Sequence, residues 1–316
     1  MPDPLVSVVV PTYRRPARLD QLLISLRAQT LDAATFEVLV VDDGGDPETE
    51  EVLRRNRQDG RFALRWIRHQ LPQGPAAARN SGWRSAYGGL VAFTDDDCAA
   101  DPGWLAAALR VATREPTAII QGITRPDPRE LANLGLLART VCVESLGPHY
   151  ETCNIFYPRA VLEGLGGFDE RFGRRPAAED TDLAWRAIEH GWTIVLASDA
   201  VILHAVERIG MSGMLRVAWR WGPATRVFAD HPQVRSMLHR RLFWNVWHYL
   251  MWRSLLALAA PRWLRRLLLT RHLLELRGRA YRADAGLWAI PWLIIHDAVE
   301  CWAVARGAIR HRTLVL

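Results

Sequence analysis

Apolar residues in the first hundred positions of the chain occur in two alternating patterns. Short uninterrupted apolar runs predict strands that are buried on both faces, and runs with helical spacing predict helices between them. The predicted strands are residues 6–10, 36–41, 63–67 and 90–94, and the predicted helices are residues 18–28, 49–57 and 76–86. This alternation predicts a parallel, Rossmann-like sheet with helices on both faces.

The pattern is weaker further along the chain. Between residues 119 and 158 it suggests only a helix over 131–143. A glycine-rich loop at 164–173 precedes a predicted helix at 179–190, and two short strands follow at 193–197 and 201–203. From residue 211 the spacing of Trp, Leu and Arg predicts helices at 215–221, 234–260, 262–276 and 286–308.

Charge divides the chain at nearly the same place. Residues 1–207 hold 22 arginines against 29 acidic residues, whereas residues 208–316 hold 18 arginines against 5 acidic residues and 9 of the 14 tryptophans. Arginine and tryptophan in amphipathic helices suit an anionic lipid interface, although Arg-rich tracts also bind nucleic acid. We predict an α/β domain at 1–210 and an amphipathic, Arg/Trp-rich helical region at 211–316 that associates with a membrane.

Polar residues interrupt the apolar stretches of this helical region. Residues 242–261 contain Arg253, and residues 287–305 contain Asp297. A central arginine alone costs about 2.5–3.5 kcal/mol on insertion, so we expect these helices to lie on a membrane or to pack on protein rather than to cross a bilayer. The first apolar run is short and ends at Pro11, which predicts a strand and not a signal peptide. We therefore expect a cytoplasmic protein, peripheral on the inner face of the cell membrane.

Three consecutive carboxylates, Asp95, Asp96 and Asp97, follow the predicted strand at 90–94. Adjacent like charges repel each other, and a bound divalent cation would offset that repulsion. Asp95 and Asp97 project to the same side of an extended chain, and hard oxygen ligands suit Mg²⁺ or Mn²⁺ carried on a diphosphate. The alternative interpretation is a solvated acidic turn.

Two further segments carry candidate binding residues. Asp42 and Asp43 follow a predicted strand, and they either accept hydrogen bonds from a nucleotide or form a turn ahead of two glycines. Gly74 and Arg79 begin a predicted helix, where backbone N–H groups and arginine attract phosphate. A capped surface helix with a solvated arginine is the alternative.

The segment from residue 179 to 204 holds the last candidates. Glu179 and Asp180 open a predicted helix, whose dipole favours carboxylates in that position without any further role. Asp180 is alternatively a general base for an acceptor hydroxyl. His204 follows an apolar run and is either a metal ligand or a structural histidine.

Taken in order, these segments resemble the family 2 glycosyltransferases of GT-A fold. The segments are VSVVVPTYRRPARL, VLVVDDGG, PQGPAAARNSGW, LVAFTDDDCAADPGWL, and GGFDERFG followed by AEDTDLAWRAIEHGW, and they cover roughly residues 5–205. The resemblance implies a mixed, mainly parallel sheet with helices on both faces. It also implies an inverting enzyme that moves a hexosyl or deoxyhexosyl group from a nucleoside-diphosphate sugar to a hydroxyl of a glycan or lipid-linked acceptor, in cell-surface polysaccharide or glycolipid synthesis.

The resemblance also assigns roles to residues. Asp97, Asp95 and His204 would serve a divalent cation, Mg²⁺ or Mn²⁺. Asp180 would be the catalytic base, with Glu179 beside it. The residues that would contact the nucleotide sugar are Pro11, Thr12, Tyr13, Arg15, Asp42, Asp43, Gly74, Arg79, Asp95 and Asp96.

Two other classes of function are weighed against this one. A sugar nucleotidyltransferase shares the fold but carries a glycine-rich basic loop after its first strand, and PTYRRPARL has no glycine. A non-catalytic membrane- or nucleic-acid-binding protein would depend on the Arg-rich region alone, and it would not need a carboxylate in every motif. We expect no nucleic-acid partner, and the sequence leaves oligomer formation open.

Overall fold

A computed structural model describes residues 4–175 and 177–316 of the chain. The chain packs as two compact units, and the first comprises Met1–Leu131 with Thr140–Ala205. The second comprises Ala132–Arg139 with Val206–Leu316. The predicted domain boundary at residue 210 lies a few residues beyond the start of Val206–Leu316, and the sequence pattern did not reveal that 132–139 packs with the second unit.

The elements of both units are numbered together along the chain. The strands are β1 (Val6–Thr12), β2 (Phe36–Asp42), β3 (Ala63–Arg68), β4 (Leu90–Phe93), β5 (Cys98–Ala100), β6 (Ile119–Pro126), β7 (Ala138–Arg139), β8 (Ile155–Pro158), β9 (Ile194–His204) and β10 (Glu207–Arg208). The α-helices are α1 (Pro16–Arg27), α2 (Pro47–Gln58), α3 (Pro75–Ser85), α4 (Trp104–Arg114), α5 (Arg159–Leu165), α6 (Glu179–Glu189), α7 (Gly210–Trp219), α8 (Val227–Asp230), α9 (Val246–Leu258), α10 (Arg262–Arg282) and α11 (Ala289–Arg310).

The first unit is built on an eight-stranded sheet with the order β3-β2-β1-β4-β8-β6-β9-β5. Strand β1 pairs in parallel with β2 and β4, and β2–β3 and β6–β9 are also parallel. The antiparallel pairs are β4–β8, β6–β8 and β5–β9. This mixed, mainly parallel sheet with helices around it confirms the predicted fold class.

The β-branched run of β1 explains why helices cover both faces of the sheet. Successive side chains of a strand point to opposite faces. Val8 and Val10 belong to the core cluster that contains the leucines of α1, whereas Val9 belongs to the cluster that contains residues of α3 and α6. All three valines are fully buried, as a strand between two helical layers requires.

Three predictions of secondary structure were wrong. The helix predicted at 131–143 is absent, because Gly135 there has a φ of +155° and β7 pairs with β10 instead. The two short strands predicted after residue 193 form one irregular strand, β9, whose register against β6 shifts between Gly122 and Ile123. The helix predicted at 234–260 is shorter, since Asn245 is extended and caps α9 by accepting a hydrogen bond from the N–H of His248.

The second unit is helical and contains buried polar contacts. In its core, Leu276 and Ala280 of α10 pack with Ala289 and Leu293. The guanidinium of Arg279 donates to the buried carboxylate of Asp297, and an imidazole nitrogen of His248 lies 3.0 Å from the Glu300 carboxylate. Within the described residues, no helix combines the length and the apolar character that crossing a membrane requires.

Candidate active site

The parallel strands β1, β2 and β4 bring three predicted site segments to one edge of the sheet. Thr12 at the end of β1 is the register partner of Asp42 at the end of β2. Asp95, Asp96 and Asp97 follow β4, which pairs with the other side of β1. Because the carboxyl ends of parallel strands share an edge, the side chains of these segments can meet there.

Asp96 is the innermost of the three carboxylates and is held by residues that follow β1. The hydroxyl of Thr12 donates to Asp96 Oδ2 at 2.7 Å, and Arg15 Nη1 lies 3.4 Å from Asp96 Oδ1. Burial, together with the charge of Asp97, raises the pKa of Asp96 to about 7 against the opposing effect of Arg15. Arg15 also donates to Asp97 Oδ2 at 2.7 Å, so this arginine links two carboxylates of the motif.

Asp97 lies beside His204 because β5 and β9 are antiparallel neighbours. The register pairs Cys98, the residue after Asp97, with His204. His204 Nδ1 donates to the carbonyl oxygen of Ala205 at 2.9 Å, which leaves Nε2 as an acceptor when the ring is neutral. His204 Nε2 is 3.5 Å from Asp97 Oδ1, so two electron-pair donors lie close enough together for one cation to contact both.

The residues that can hold a cation differ in part from those predicted. Asp97, Cys98 and His204 each offer one ligand atom, and these three atoms lie within 4.8 Å of one another. Asp95 belongs to a different group, because its Oδ1 accepts a hydrogen bond from Arg79 Nη2 at 2.8 Å. Asp95 is therefore not one of the three residues whose ligand atoms cluster here, and its predicted part in holding the cation stays a prediction.

Arg79 is buried between two carboxylates. Its Nη1 donates to Glu179 Oε1 at 2.9 Å, while its Nη2 contacts Asp95. Burial disfavours the charged guanidinium, but Asp95 and Glu179 outweigh that effect and raise the pKa of Arg79 above its ordinary value. Arg79 thus connects α3, the segment after β4 and the start of α6.

The start of α6 places two neighbouring carboxylates in unlike environments. Glu179 is buried, and its Oε2 accepts a hydrogen bond from the N–H of Ala177 at 2.8 Å in addition to the contact with Arg79. Asp180 is only partly exposed, and its Oδ1 accepts from the N–H of Thr181 at 2.9 Å. Burial, and after it the charge of Glu179, raise the pKa of Asp180 from 3.8 to about 7. A carboxylate with this pKa suits general base catalysis near neutral pH.

Known proteins resemble this chain in sequence and in fold. Residues 7–160 match the family described as glycosyl transferase family 2. The glycosyltransferase AglE of Haloferax volcanii is 27% identical over 217 residues, which are 66% of this chain and 69% of that protein. The chain is a glycosyltransferase whose residues 7–160 belong to family 2.

Two further comparisons show how far the similarity to known glycosyltransferases extends in length and in sequence identity. A validoxylamine A glucosyltransferase of Streptomyces hygroscopicus is 28% identical over 62% of this chain, and the chain spans only about half (54%) of that enzyme. The mannosyltransferase PcManGT from Pyrobaculum calidifontis, solved with GDP-Man and Mn²⁺, has a TM-score of 0.67 at 20% identity, covering 98% of this chain and 87% of that one. At this identity the likeness shows the fold. The predictions of a GT-A fold and of a glycosyltransferase are confirmed.

In this family 2 glycosyltransferase, Asp42 and Asp43 both make internal hydrogen bonds. Asp42 Oδ1 accepts from the N–H groups of Gly44 and Gly45, each at 3.0 Å, as the turn interpretation of the sequence anticipates. Asp43 accepts from the N–H groups of Gln73 and Gly74 at 2.9 and 2.8 Å. Asp43 therefore fixes the loop that precedes α3.

His69 completes this arrangement, and the sequence analysis did not single it out. Its Nδ1 donates to Asp43 Oδ1 at 2.7 Å, and its Nε2 lies 2.9 Å from the hydroxyl of Ser81 in α3. One buried imidazole thus connects the ends of β2 and β3 with α3. A polar residue directly after a predicted strand is the signal that could have identified His69.

Gly74 is required by close backbone packing. It has a φ of +100°, and a Cβ atom at this position would lie 2.6 Å from Arg174 Cα. The chain that approaches Gly74 is therefore the loop after α5, and the phosphate contact predicted at the start of α3 stays a prediction. A cleft of about 630 Å³ opens beside this loop, and its lining includes Arg68, His69, Gln73, Glu170 and Arg174. The predicted site residues are not among those that line it.

Pro11 and Tyr13 lie at the rim of the same edge. Pro11 is partly buried in β1, whereas the ring of Tyr13 is 47% exposed. The guanidinium of Arg14 is stacked 5.3 Å from the centre of that ring. The exposed Tyr13 follows Thr12 directly, and an aromatic ring of this kind can stack on a nucleobase.

Proposed function

We propose that this enzyme transfers a sugar from a nucleoside-diphosphate sugar to a hydroxyl group of a glycan or lipid-linked acceptor, with inversion at the anomeric carbon. The observation that carries the proposal is the contact of Arg79 with both Asp95, two residues before Asp97, and Glu179, the neighbour of Asp180. Asp97 with His204 presents electron-pair donors suited to a cation, and Asp180 presents a carboxylate whose pKa is close to neutrality.

The donor set supports a divalent cation. Carboxylate oxygen and imidazole nitrogen both bind Mn²⁺, and Mg²⁺ accepts the carboxylate together with phosphate oxygens and water. We propose that Asp97 and His204 hold the ion. When bound, it would offset the charge that develops on the departing diphosphate.

The residues around the cation site have distinct proposed roles in binding the donor. Tyr13 and Pro11 form the exposed rim for the base, and Asp42 accepts from the base or ribose. Arg15 and Arg79 supply positive charge for the diphosphate, and both are placed by carboxylates of the motif. Thr12, Asp43, Gly74 and Asp95 act by fixing these groups, and Asp96 is proposed to contact the donor ribose or sugar.

Asp180 is proposed as the base, with Glu179 as the residue that positions Arg79. In its ionised form Asp180 removes the proton of the acceptor hydroxyl while that oxygen attacks the anomeric carbon opposite the departing diphosphate. A single displacement of this kind inverts the configuration. It transfers no phosphorus atom, so the by-product is a nucleoside diphosphate and not pyrophosphate.

Product analysis tests this function. The enzyme is incubated with a donor, Mn²⁺ and an acceptor, and the by-product and the anomeric configuration of the new bond are read by NMR. A nucleoside diphosphate and an inverted glycoside are expected. Release of pyrophosphate would show a nucleotidyltransferase, and a retained configuration would remove Asp180 from the role of base in a single displacement.

We also propose that the second unit brings the enzyme to the inner face of the cell membrane, where a lipid-linked acceptor would lie. The excess of arginine over acidic residues and the tryptophans of residues 208–316 support this location. Washing native membranes at high salt or with carbonate should release the protein. Recovery of all the protein without membranes at low salt would contradict the proposal.

A further inference from the structure

Helix α10 is apolar on two opposite sides. On the inner side, His272, Leu276 and Ala280 are buried, and Leu276 and Ala280 pack with Ala289 and Leu293 within the second unit. This contact alone accounts for the helix as part of its unit. It leaves the opposite side of α10 to be explained.

The outer side of α10 carries large apolar residues where a helix that serves only its own unit would carry polar ones. Trp263, Leu267, Leu274 and Tyr281 follow one another at intervals of four and seven residues, which places them on one line along the helix. Their exposed fractions are 71%, 62%, 62% and 87%. The line is about 27 Å long at 1.5 Å per residue.

Arginines flank this line on both sides. Helical spacing places Arg266 and Arg277 along one margin and Arg271 along the other, with Arg262 at the start of the helix. In residues 4–175 and 177–316, none of these four exposed side chains forms an ion pair with a carboxylate. The inward Arg279, by contrast, pairs with Asp297.

We infer that the outer face of α10, defined by Trp263, Leu267, Leu274 and Tyr281, docks flat on an anionic phospholipid surface. This inference depends on the membrane location in the proposed function and names the surface that makes the contact. The apolar line enters the boundary between headgroups and acyl chains, and the flanking arginines reach the phosphates. The aromatic residues stand at the two ends of the line, and Trp and Tyr are enriched at such interfaces.

Charge distinguishes lipid from a second copy of the chain as the occupant. Helix α10 contains seven arginines and one acidic residue. Two such faces packed together would bring unpaired arginines of like charge into one desolvated interface, which is unfavourable. An anionic lipid surface instead supplies a counter-charge for each arginine.

Vesicle flotation with the full chain tests the inference. The probes are phosphatidylcholine vesicles with and without phosphatidylglycerol. The variant combines Trp263→Ser, Leu267→Ser and Leu274→Ser, and these exposed positions leave the inner contacts of α10 unchanged. The matched control replaces two exposed apolar residues of the first unit, Ile24→Ser with Leu131→Ser. Circular dichroism checks the fold of each protein.

The wild type and the control should float with vesicles that contain phosphatidylglycerol, and the triple variant should bind them at least roughly tenfold more weakly. A second variant, Arg266→Glu with Arg277→Glu, should lose the preference for the anionic vesicles. Flotation of the triple variant equal to that of the wild type would overturn the inference. A second result would also overturn the inference: the wild type does not bind vesicles, and it self-associates in lipid-free buffer in a way that the triple variant abolishes.

Nucleoside diphosphate release with a water-soluble acceptor separates this inference from the proposed function. All variants should keep the wild-type rate in the absence of vesicles, because none changes the first unit's carboxylate sites. Vesicle binding through α10 by a protein without transferase activity would support the inference and contradict the proposed function. Full activity with no vesicle binding would contradict the inference and the membrane location, and it would support the proposed transfer reaction.

Discussion

Glu179 and Asp180 are adjacent carboxylates, and replacing each by its amide should have opposite effects on stability. Both substitutions remove one negative charge from the N-terminus of α6, so the effect of the helix dipole is nearly the same for both. The difference lies in the partners. Glu179 accepts hydrogen bonds from Arg79 and from the N–H of Ala177, whereas Asp180 accepts only from Thr181 among the hydrogen bonds described for it.

Glu179→Gln should destabilise the fold. Both oxygens of Glu179 face donors, at 2.9 Å and 2.8 Å. Glutamine offers one acceptor oxygen and one NH2 group that only donates, so one of the two donors loses its partner and meets another donor. A lost charge-assisted hydrogen bond costs about 1.5–3 kcal/mol, and of its two ion-pair partners Arg79 keeps Asp95. We expect a loss of about 2–4 kcal/mol in the free energy of unfolding.

Asp180→Asn should stabilise the fold at neutral pH. The pKa of Asp180 is raised from 3.8 to about 7 by burial and by Glu179, so the folded protein binds this proton more tightly than the unfolded chain. Ionised Asp180 therefore costs stability, and the cost grows as pH rises from about 4 to about 7 and is constant above that. At about 1.4 kcal/mol per pKa unit, removing the charge should yield up to about 4 kcal/mol.

Urea unfolding of the three proteins at about pH 5 and about pH 8 measures both effects. The wild type and Asp180→Asn both contain Asp96 and the other carboxylates. The titration of those groups therefore cancels when the free energies of unfolding of the two proteins are subtracted. That difference should widen by about 2–3 kcal/mol between the two pH values. A variant that is less stable than the wild type, or a difference that does not change with pH, would refute the environment assigned to Asp180.

Turnover completes this comparison. Asp180→Asn should bind the donor and lose about 10²–10⁴-fold in kcat, because positioned base catalysis has that size. Activity of the wild type should rise with pH as Asp180 ionises, with a midpoint near its raised pKa of about 7. If Glu179→Gln is inactive and Asp180→Asn is active, the two roles are exchanged.

Three further substitutions test the rest of the site. Asp97→Asn, or EDTA with the wild type, should abolish transfer without unfolding the protein, and thermal unfolding serves as the control. Full activity in either case would contradict the requirement for a cation. Gly74→Ala should cost about 1–3 kcal/mol of stability, since the new Cβ would lie 2.6 Å from Arg174 Cα at a positive φ; an unchanged melting temperature would contradict this. His69→Ala should raise the donor KM more than it lowers kcat, because Asp43 loses its imidazole donor and the loop before α3 loosens; an unchanged KM would limit His69 to stability.

The first hundred residues were predictable because their strands are buried on both faces. An uninterrupted apolar run such as residues 6–10 is seldom anything but a buried strand. The observed bounds of β1 and β2 agree closely with the predicted strands at 6–10 and 36–41. Strand β6 was not predicted, because Gln121 and Thr124 within it are polar yet buried. The side-chain N–H of Gln121 donates to the carbonyl oxygen of Asn154 at 2.7 Å, a partner 33 residues away. No local pattern contains that contact.

The same limit applies to the helix predicted at 131–143. Its apolar spacing is helical, but β7 finds a partner in β10, which lies far along the chain. Pairing between distant segments overrode local propensity there. In the second unit, by contrast, the predicted helix at 262–276 extends to become α10, because Leu276 and Ala280 continue the buried side that the periodicity had started.

The sequence singled out candidate site residues, but it did not reveal their contacts. Asp95 and Asp97 stand two residues apart, and spacing alone put them together. In the structure the turn after β4 sends Asp95 to Arg79 and Asp97 to His204. The basic side chain that each carboxylate contacts depends on how β5, α3 and α6 pack around β4. Local sequence spacing does not contain this tertiary information. The roles assigned to these residues stay predictions.

The central claim, that this family 2 glycosyltransferase uses a nucleotide-sugar donor and a cation at Asp97, is tested most directly by nucleoside diphosphate release. The wild type, Asp97→Asn and Asp180→Asn would be compared with GDP-, UDP- and dTDP-sugars, with and without Mn²⁺, in the presence of lipid-linked and free saccharide acceptors. We predict that the wild type releases a nucleoside diphosphate with at least one donor and only when an acceptor is present. This release should be lost without Mn²⁺ and in Asp97→Asn. Asp180→Asn should bind the donor without turning it over. Equal release by all three proteins, or release that EDTA leaves unchanged, would contradict the account.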